Sequence, residues 1–192
     1  MRNTGKCFLL LLCMLPAFAS AAAAAPPAPR DPIAVGVDVG TTAAGAVMGA
    51  VAAGASVDLP LAHSLSVTIE PSVYWAAGTG QSIFQLTAVG GVRFYLMSLF
   101  IPESRRRAQW GPFAFAGIAL AWARQTGSTT FDTICFGPNV AVGYRLVFGD
   151  RGFFLEPTVG WMALYGAQLD ESGATSSANS GVCVGFMLGY RF

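Results

Sequence analysis

The sequence predicts an all-β protein: an eight-stranded antiparallel up-and-down barrel that crosses a membrane with its strands. Three observations predict it. Large apolar residues recur at every second position through eight segments, which is the period of a strand. The 192 residues are 54% hydrophobic but only 11% charged, roughly half the charge of an ordinary soluble domain. Between the large apolar side chains lie mostly Gly, Ala, Ser and Thr. That face would be a poor surface for water, but it suits the interior of a narrow transmembrane barrel. The net charge of +1 and the lack of a basic stripe speak against a nucleic-acid partner.

The first element is a targeting segment. Arg2 and Lys6 precede an apolar run from Cys7 to Leu15, and Ala17-Phe18-Ala19 follows as an A-x-A cleavage pattern. Residues 1–25 therefore read as a signal peptide, cut somewhere between 19 and 25. The apolar run is too short to span a bilayer. Residues 26–32 read as a linker and 33–192 as the barrel.

The eight strand segments lie near 33–43, 47–58, 65–77, 82–97, 112–124, 133–148, 153–165 and 181–192. Each reaches the roughly 9–11 residues that a tilted strand needs to cross a bilayer. From Leu65, one face reads Leu65, Val67, Ile69, Pro71, Val73, Trp75, and the other Ser66, Thr68, Glu70, Ser72, Tyr74. The first two segments are Gly/Ala-rich. A helix is the competing reading for Val39–Val57, where Gly45 and Gly49 stand at GxxxG spacing.

One motif occurs twice. "IEPSVYW" (Ile69–Trp75) and "LEPTVGW" (Leu155–Trp161) each place a Glu in an apolar run and follow it with Pro. Pro cannot donate to a strand ladder, so Pro71 and Pro157 predict bulges. The two glutamates belong to a set of charges on the face that reads as inward: Asp38, Glu70, Arg93, Arg145, Glu156 and Arg191. Each acid has a base on the next strand, which pairs Glu70 with Arg93, Arg145 with Glu156, and Asp38 with Arg191 once the barrel closes. A two-residue turn at Asp150-Arg151 would set Phe148 opposite Phe153 and Arg145 opposite Glu156. The pairs predict a filled, braced lumen, or a gate for solutes. Eight strands leave room only for side chains or one small ligand.

The chain ends "GFMLGYRF", with Phe186, Leu188, Tyr190 and Phe192 at steps of two. This ending resembles the C-terminal strand of bacterial outer-membrane proteins, and residues 33–192 as a whole resemble the small eight-stranded barrels of the OmpW, OmpX and OmpA-transmembrane kind, most nearly OmpW. The resemblance implies an outer-membrane location, lipid as surroundings, and recognition of Tyr190 and Phe192 by the barrel-assembly machinery. It also implies passive transport of small apolar solutes through a narrow pore. The alternative is a structural or surface-interaction protein with a closed lumen. With a periplasmic C-terminus, "DLPLAH" (Asp58–His63), Ser98–Trp110 and Gly149–Gly152 become periplasmic turns, and the polar Gly166–Ser180 becomes an outer loop. Trp75, Trp122, Trp161 and Tyr165 then form an outer aromatic belt, and Tyr144, Phe148, Phe153, Tyr190 and Phe192 an inner one.

Nothing in the sequence points to an enzyme, a cofactor or a metal site. His63 is the sole histidine and stands beside Ser64 in a turn, whereas a hydrolytic triad needs converging side chains. The run Ser104–Arg107 reads as a solvated turn. Cys135 and Cys183 lie on strands 6 and 8 of an exported chain, where a disulfide requires an irregular rim to bring them together.

Overall fold

The computed structural model of the chain describes residues 33–62, 64–99, 109–149, 152–170 and 173–192. The signal peptide, the linker, His63, Ser104–Arg107 and the Asp150-Arg151 turn lie outside the described residues. The elements run β1 (Ala34–Asp38), α1 (Val39–Val47), β2 (Ala50–Ala62), β3 (Leu65–Gly78), β4 (Gln81–Tyr95), a 3-10 turn (Leu96–Leu99), β5 (Gly111–Thr126), β6 (Phe131–Val147), β7 (Phe153–Asp170) and β8 (Gly173–Arg191). Each strand pairs antiparallel with the next, and β8 returns to β1, so eight strands form one closed ring.

The ring is staggered. Paired residues followed once around the wall run from Arg191 through Ala34, Asp58, Thr68, Gly91, Gly117, Asn139 and Met162, and come back to β8 at Gly181. A stagger of this sort is what tilts strands in a barrel. Alternation then sorts the side chains. Val182 and Val184 are 73% and 77% exposed on the outside, while Arg93, Arg145 and Glu156 are buried inside. The named aromatics of both expected belts except Trp122 are among the exposed large side chains, and Trp122 is half-buried. We call the end of the ring that carries Ala34 and Arg191 the terminal end, and the opposite end the distal end.

Four sequence expectations change. First, the strand expected over 33–43 stops at Asp38. The Asp38 carboxylate caps a helix by accepting from the Thr41 amide at 3.0 Å, and the Ala-rich stretch beyond continues it. Gly49, at φ 70°, ends the helix turn. The GxxxG segment is thus helical over nine residues only, and no helix among the described residues is long and apolar enough to cross a membrane.

Second, β2 continues through the "DLPLAH" stretch as far as Ala62, so Asp58 is a strand residue and not a turn residue. Third, most of the expected loop over 166–180 is a hairpin ladder reaching Asp170 opposite Gly173. Fourth, Pro71 and Pro157 make no bulge. The register between β2 and β3 is the same on both sides of Pro71, and that between β6 and β7 is the same on both sides of Pro157. Each Pro only interrupts the ladder toward the preceding strand while its pairing with the following strand (Pro71 with Ala88, Pro157 with Phe186) continues. The β2–β3 register shifts instead at Pro60/Ala62.

The short β1 leaves a seam in the wall. Beyond Asp38, neither β2 from Ala50 to Gly54 nor β8 from Gly173 to Phe186 has a β1 partner. Helix α1 packs there against both strands. The fit is close: a Cβ on Gly45 would sit 2.7 Å from the Ala52 Cβ, and one on Gly40 would sit 2.9 Å from the Phe186 amide nitrogen.

Candidate functional site: the lumen charge cluster and the cavity above it

Five charged side chains meet inside the barrel toward the terminal end. Arg93 on β4 donates from Nη1 to Asp58 Oδ2 at 2.8 Å, and its Nη2 lies 3.0 Å from both Glu70 Oε1 and Glu156 Oε1. Arg145 on β6 donates from Nε to Glu156 Oε2 at 2.6 Å and also pairs with Asp58. Thr68 adds a hydrogen bond of 2.6 Å to Asp58 Oδ1. The members come from β2, β3, β4, β6 and β7, so the cluster ties together opposite sides of the wall.

The rings beneath the guanidiniums complete the packing. Arg93 lies 4.5 Å from the Phe113 ring centre, and Arg145 lies 4.2 Å from that of Phe154 and 5.6 Å from that of Tyr95. A desolvated cation over an aromatic face gains about 2 kcal/mol. The side chains of Arg93, Arg145, Asp58 and Glu156 are at most 2% exposed, whereas that of Glu70 is 23% exposed. The cluster therefore blocks the bore, and Glu70 is its accessible member.

Two of the three expected pairs are present, Glu70 with Arg93 and Arg145 with Glu156. The flanking pairs Gly143–Thr158 and Leu146–Leu155 set Arg145 opposite Glu156, as the hairpin arithmetic requires. The third pair is absent. Asp38 sits opposite Met187, Arg191 sits opposite Ala34, and the Asp38 carboxylate is engaged by the amide and hydroxyl of Thr41. Asp58, which joins both arginines, is the residue that sequence reasoning missed. Its signal was available: Ala52, Gly54, Ser56 and Asp58 continue one alternating face, and a Pro two residues later made the stretch look like a turn.

A cavity of about 400 Å³ adjoins the cluster on its distal side. Glu70 and Arg93 border it at one end, and Tyr74, Gln85 and Met162 line it farther along β3, β4 and β7. It also touches Asp38 and Thr41 at the start of α1, and Gly54 and Gly185 on the two strands beside the seam. Pockets of this size hold small ligands.

Cys135 and Cys183 are both free thiols. On β7, Cys135 faces Gly166 and Cys183 faces Gly160, a separation of roughly 20 Å at strand spacing, far beyond disulfide reach. Tyr190 and Phe192 stack edge to face at 5.1 Å on the outer surface of the terminal end, and Phe192 is 66% exposed. On the outside near the distal end, Arg124 and Asp132 form a two-pronged pair at 2.8 Å. No group of three or more His, Cys, Asp or Glu among the described residues could hold a metal ion. No protein-family model matches this chain, and no curated protein is detectably similar to it.

Proposed function

We propose that this chain is a bacterial outer-membrane barrel that passes small, largely apolar solutes from its distal mouth into the surrounding lipid through the wall. Several features support the reading. The outside is apolar over much of its area and most of the described charges are inside, which is inverted relative to a soluble protein. The Arg124–Asp132 pair bounds the apolar outer surface on the distal side. The charge cluster closes the bore toward the terminal end, so a solute in the cavity has no straight path through.

The observation that carries the proposal is the seam. Lipid tolerates no unpaired sheet edge, so closing the ladder along its whole height would be the cheaper structure for a barrel with only a structural role. Here the ladder stops at Asp38, and the gap is covered by one short helix that borders the cavity. Moving that helix would join cavity and bilayer.

The test is to lock the helix. A Cβ at Gly40 would lie 3.2 Å from that of Phe186, just inside the spacing of a disulfide, so a bridge there needs the helix start to move outward by a few tenths of an ångström. In a chain whose native cysteines are replaced by Ser, Gly40→Cys with Phe186→Cys should form a bridge that fastens α1 to β8. Entry of naphthylmethylammonium into bacteria producing this chain should fall to the vector level when the bridge is oxidised and return on reduction. Entry unchanged by the bridge would refute release through the wall. A second reading, a surface-interaction protein, is favoured by the β7–β8 ladder, which outreaches the other hairpins. It requires that removing residues 167–177 abolish function while solute entry stays at the vector level throughout.

A further inference from the structure

We infer that the lumen cavity selects a small amphiphile with one positively charged end, an organic ammonium ion on an apolar body. The inference deepens the transport reading, on which its biological sense rests. Its first support is the balance of charge. Among the described residues around the cavity and the cluster beneath it, four carboxylates (Asp38, Asp58, Glu70, Glu156) face inward against three guanidiniums (Arg93, Arg145, Arg191).

Access decides which of these a solute meets. The Arg93 side chain is 2% exposed and already serves three carboxylates. Glu70 is 23% exposed, and Arg93 is its partner in the cluster through Oε1. The accessible ionisable group at the cavity floor is therefore the Glu70 carboxyl. The helix α1 begins at the cavity too and would favour an anion, but Asp38 already caps that terminus.

The second support is the placement of the two acids around the cavity. Asp38 stands at the seam and Glu70 at the floor. Gly54 lies between them, opposite Ser72 on β3. A Cβ on Gly54 would sit 3.1 Å from the Asp38 Cβ and 3.5 Å from the Ser72 Cβ, so even an Ala there would fill the space. Carboxylates thus stand at both the floor and the seam side of the cavity, with Gly54 packed closely between Asp38 and Ser72. Tyr74 and Met162, both part-exposed, line the same cavity and offer an aromatic ring and a thioether to an apolar body. Aromatic faces and thioethers suit an ammonium ion better than they suit a carboxylate.

Cys183 lines this cavity and reports on its occupancy. The full chain with Cys7→Ser, Cys13→Ser and Cys135→Ser keeps it as the sole thiol. Folded in detergent micelles, with folding checked by heat-dependent gel mobility, this protein is labelled with N-ethylmaleimide in the presence of 1-naphthylmethylammonium or of 1-naphthaleneacetate, which has similar bulk and the opposite charge. We expect the ammonium to slow labelling and the acetate to have no effect at the same concentration. Glu70→Gln should raise the protecting concentration about tenfold, the worth of one charge-assisted hydrogen bond. Asp38→Asn, which keeps a good helix cap, should raise it in the same direction. Equal protection by both compounds, stronger protection by the acetate, protection by neither, or protection indifferent to both substitutions would overturn the inference. Micelles remove transport from the readout. Selective protection without entry into cells would leave the binding site standing and sink the transport reading alone.

Discussion

Arg93 of β4 and Glu156 of β7 lie on opposite sides of the ring and meet across the bore, Nη2 to Oε1, at 3.0 Å. The contact is a strut inside a narrow tube. Arg93 also holds Asp58 and Glu70, so its loss would leave three carboxylates facing Arg145. Breaking a buried ion pair by removing one partner costs about 3–5 kcal/mol. We expect Arg93→Met to lower the unfolding free energy in micelles by about that amount, read from urea titration of intrinsic fluorescence. Arg124→Met, which breaks the exposed pair with Asp132, should barely move the midpoint.

Asp58 and Glu70 should differ although both bind Arg93. Asp58 is buried and accepts from Arg93, Arg145 and Thr68. Glu70 is partly exposed and is held by Arg93 in the cluster. Asp58→Asn should therefore destabilise the barrel more than Glu70→Gln. Equal shifts in the urea midpoint would show that the cluster does not centre on Asp58.

Arg145 and Glu156 form a directly opposed pair and share the cluster's other members. Their substitutions should not add. In a cycle of Arg145→Met, Glu156→Gln and the double variant, we expect a coupling energy of about 1–3 kcal/mol, the range for residues in one buried network. A coupling near zero would mean that each side chain acts alone.

The free thiols should stay apart. After air or copper-phenanthroline oxidation of the folded chain, Cys135 and Cys183 should both remain titratable, with no internal crosslink in the peptide mass map. An internal bridge would contradict the register of β7 with its two neighbours.

Phe192 packs on Tyr190 and donates its backbone amide to Ile33, but its ring is largely exposed. Phe192→Ala should thus leave refolding in micelles nearly unchanged. If the resemblance of the ending to outer-membrane proteins reflects recognition by assembly machinery, the same variant should lose most of its outer-membrane yield in cells. Normal yield would remove that role.

The barrel and most of its lumen charges were legible because alternation is a strong signal. It assigned Glu70, Arg93, Arg145, Glu156 and Arg191 to the inside, and hairpin arithmetic placed Arg145 against Glu156. Two failures have physical causes. Residues 39–47 alternate no large apolar side chains, so only the cap at Asp38 distinguishes a helix from a strand there. Asp58 was hidden by Pro60, which signals a turn in most settings and here marks a register shift within β2. The pairing of Asp38 with Arg191 assumed that neighbouring strands bring any two inward charges together. Register decides that, and Asp38 stands four positions along β1 from Ala34, which faces Arg191.

The most direct test of a closed lumen is single-channel recording of the full chain in a planar bilayer, with insertion confirmed by protease protection. We expect no steady ionic current from the native chain, and stepwise currents from Arg93→Ala and from Glu156→Ala, where the strut across the bore is cut. A resolved, steady conductance in the native chain that neither substitution alters would contradict the closure of the bore by this cluster.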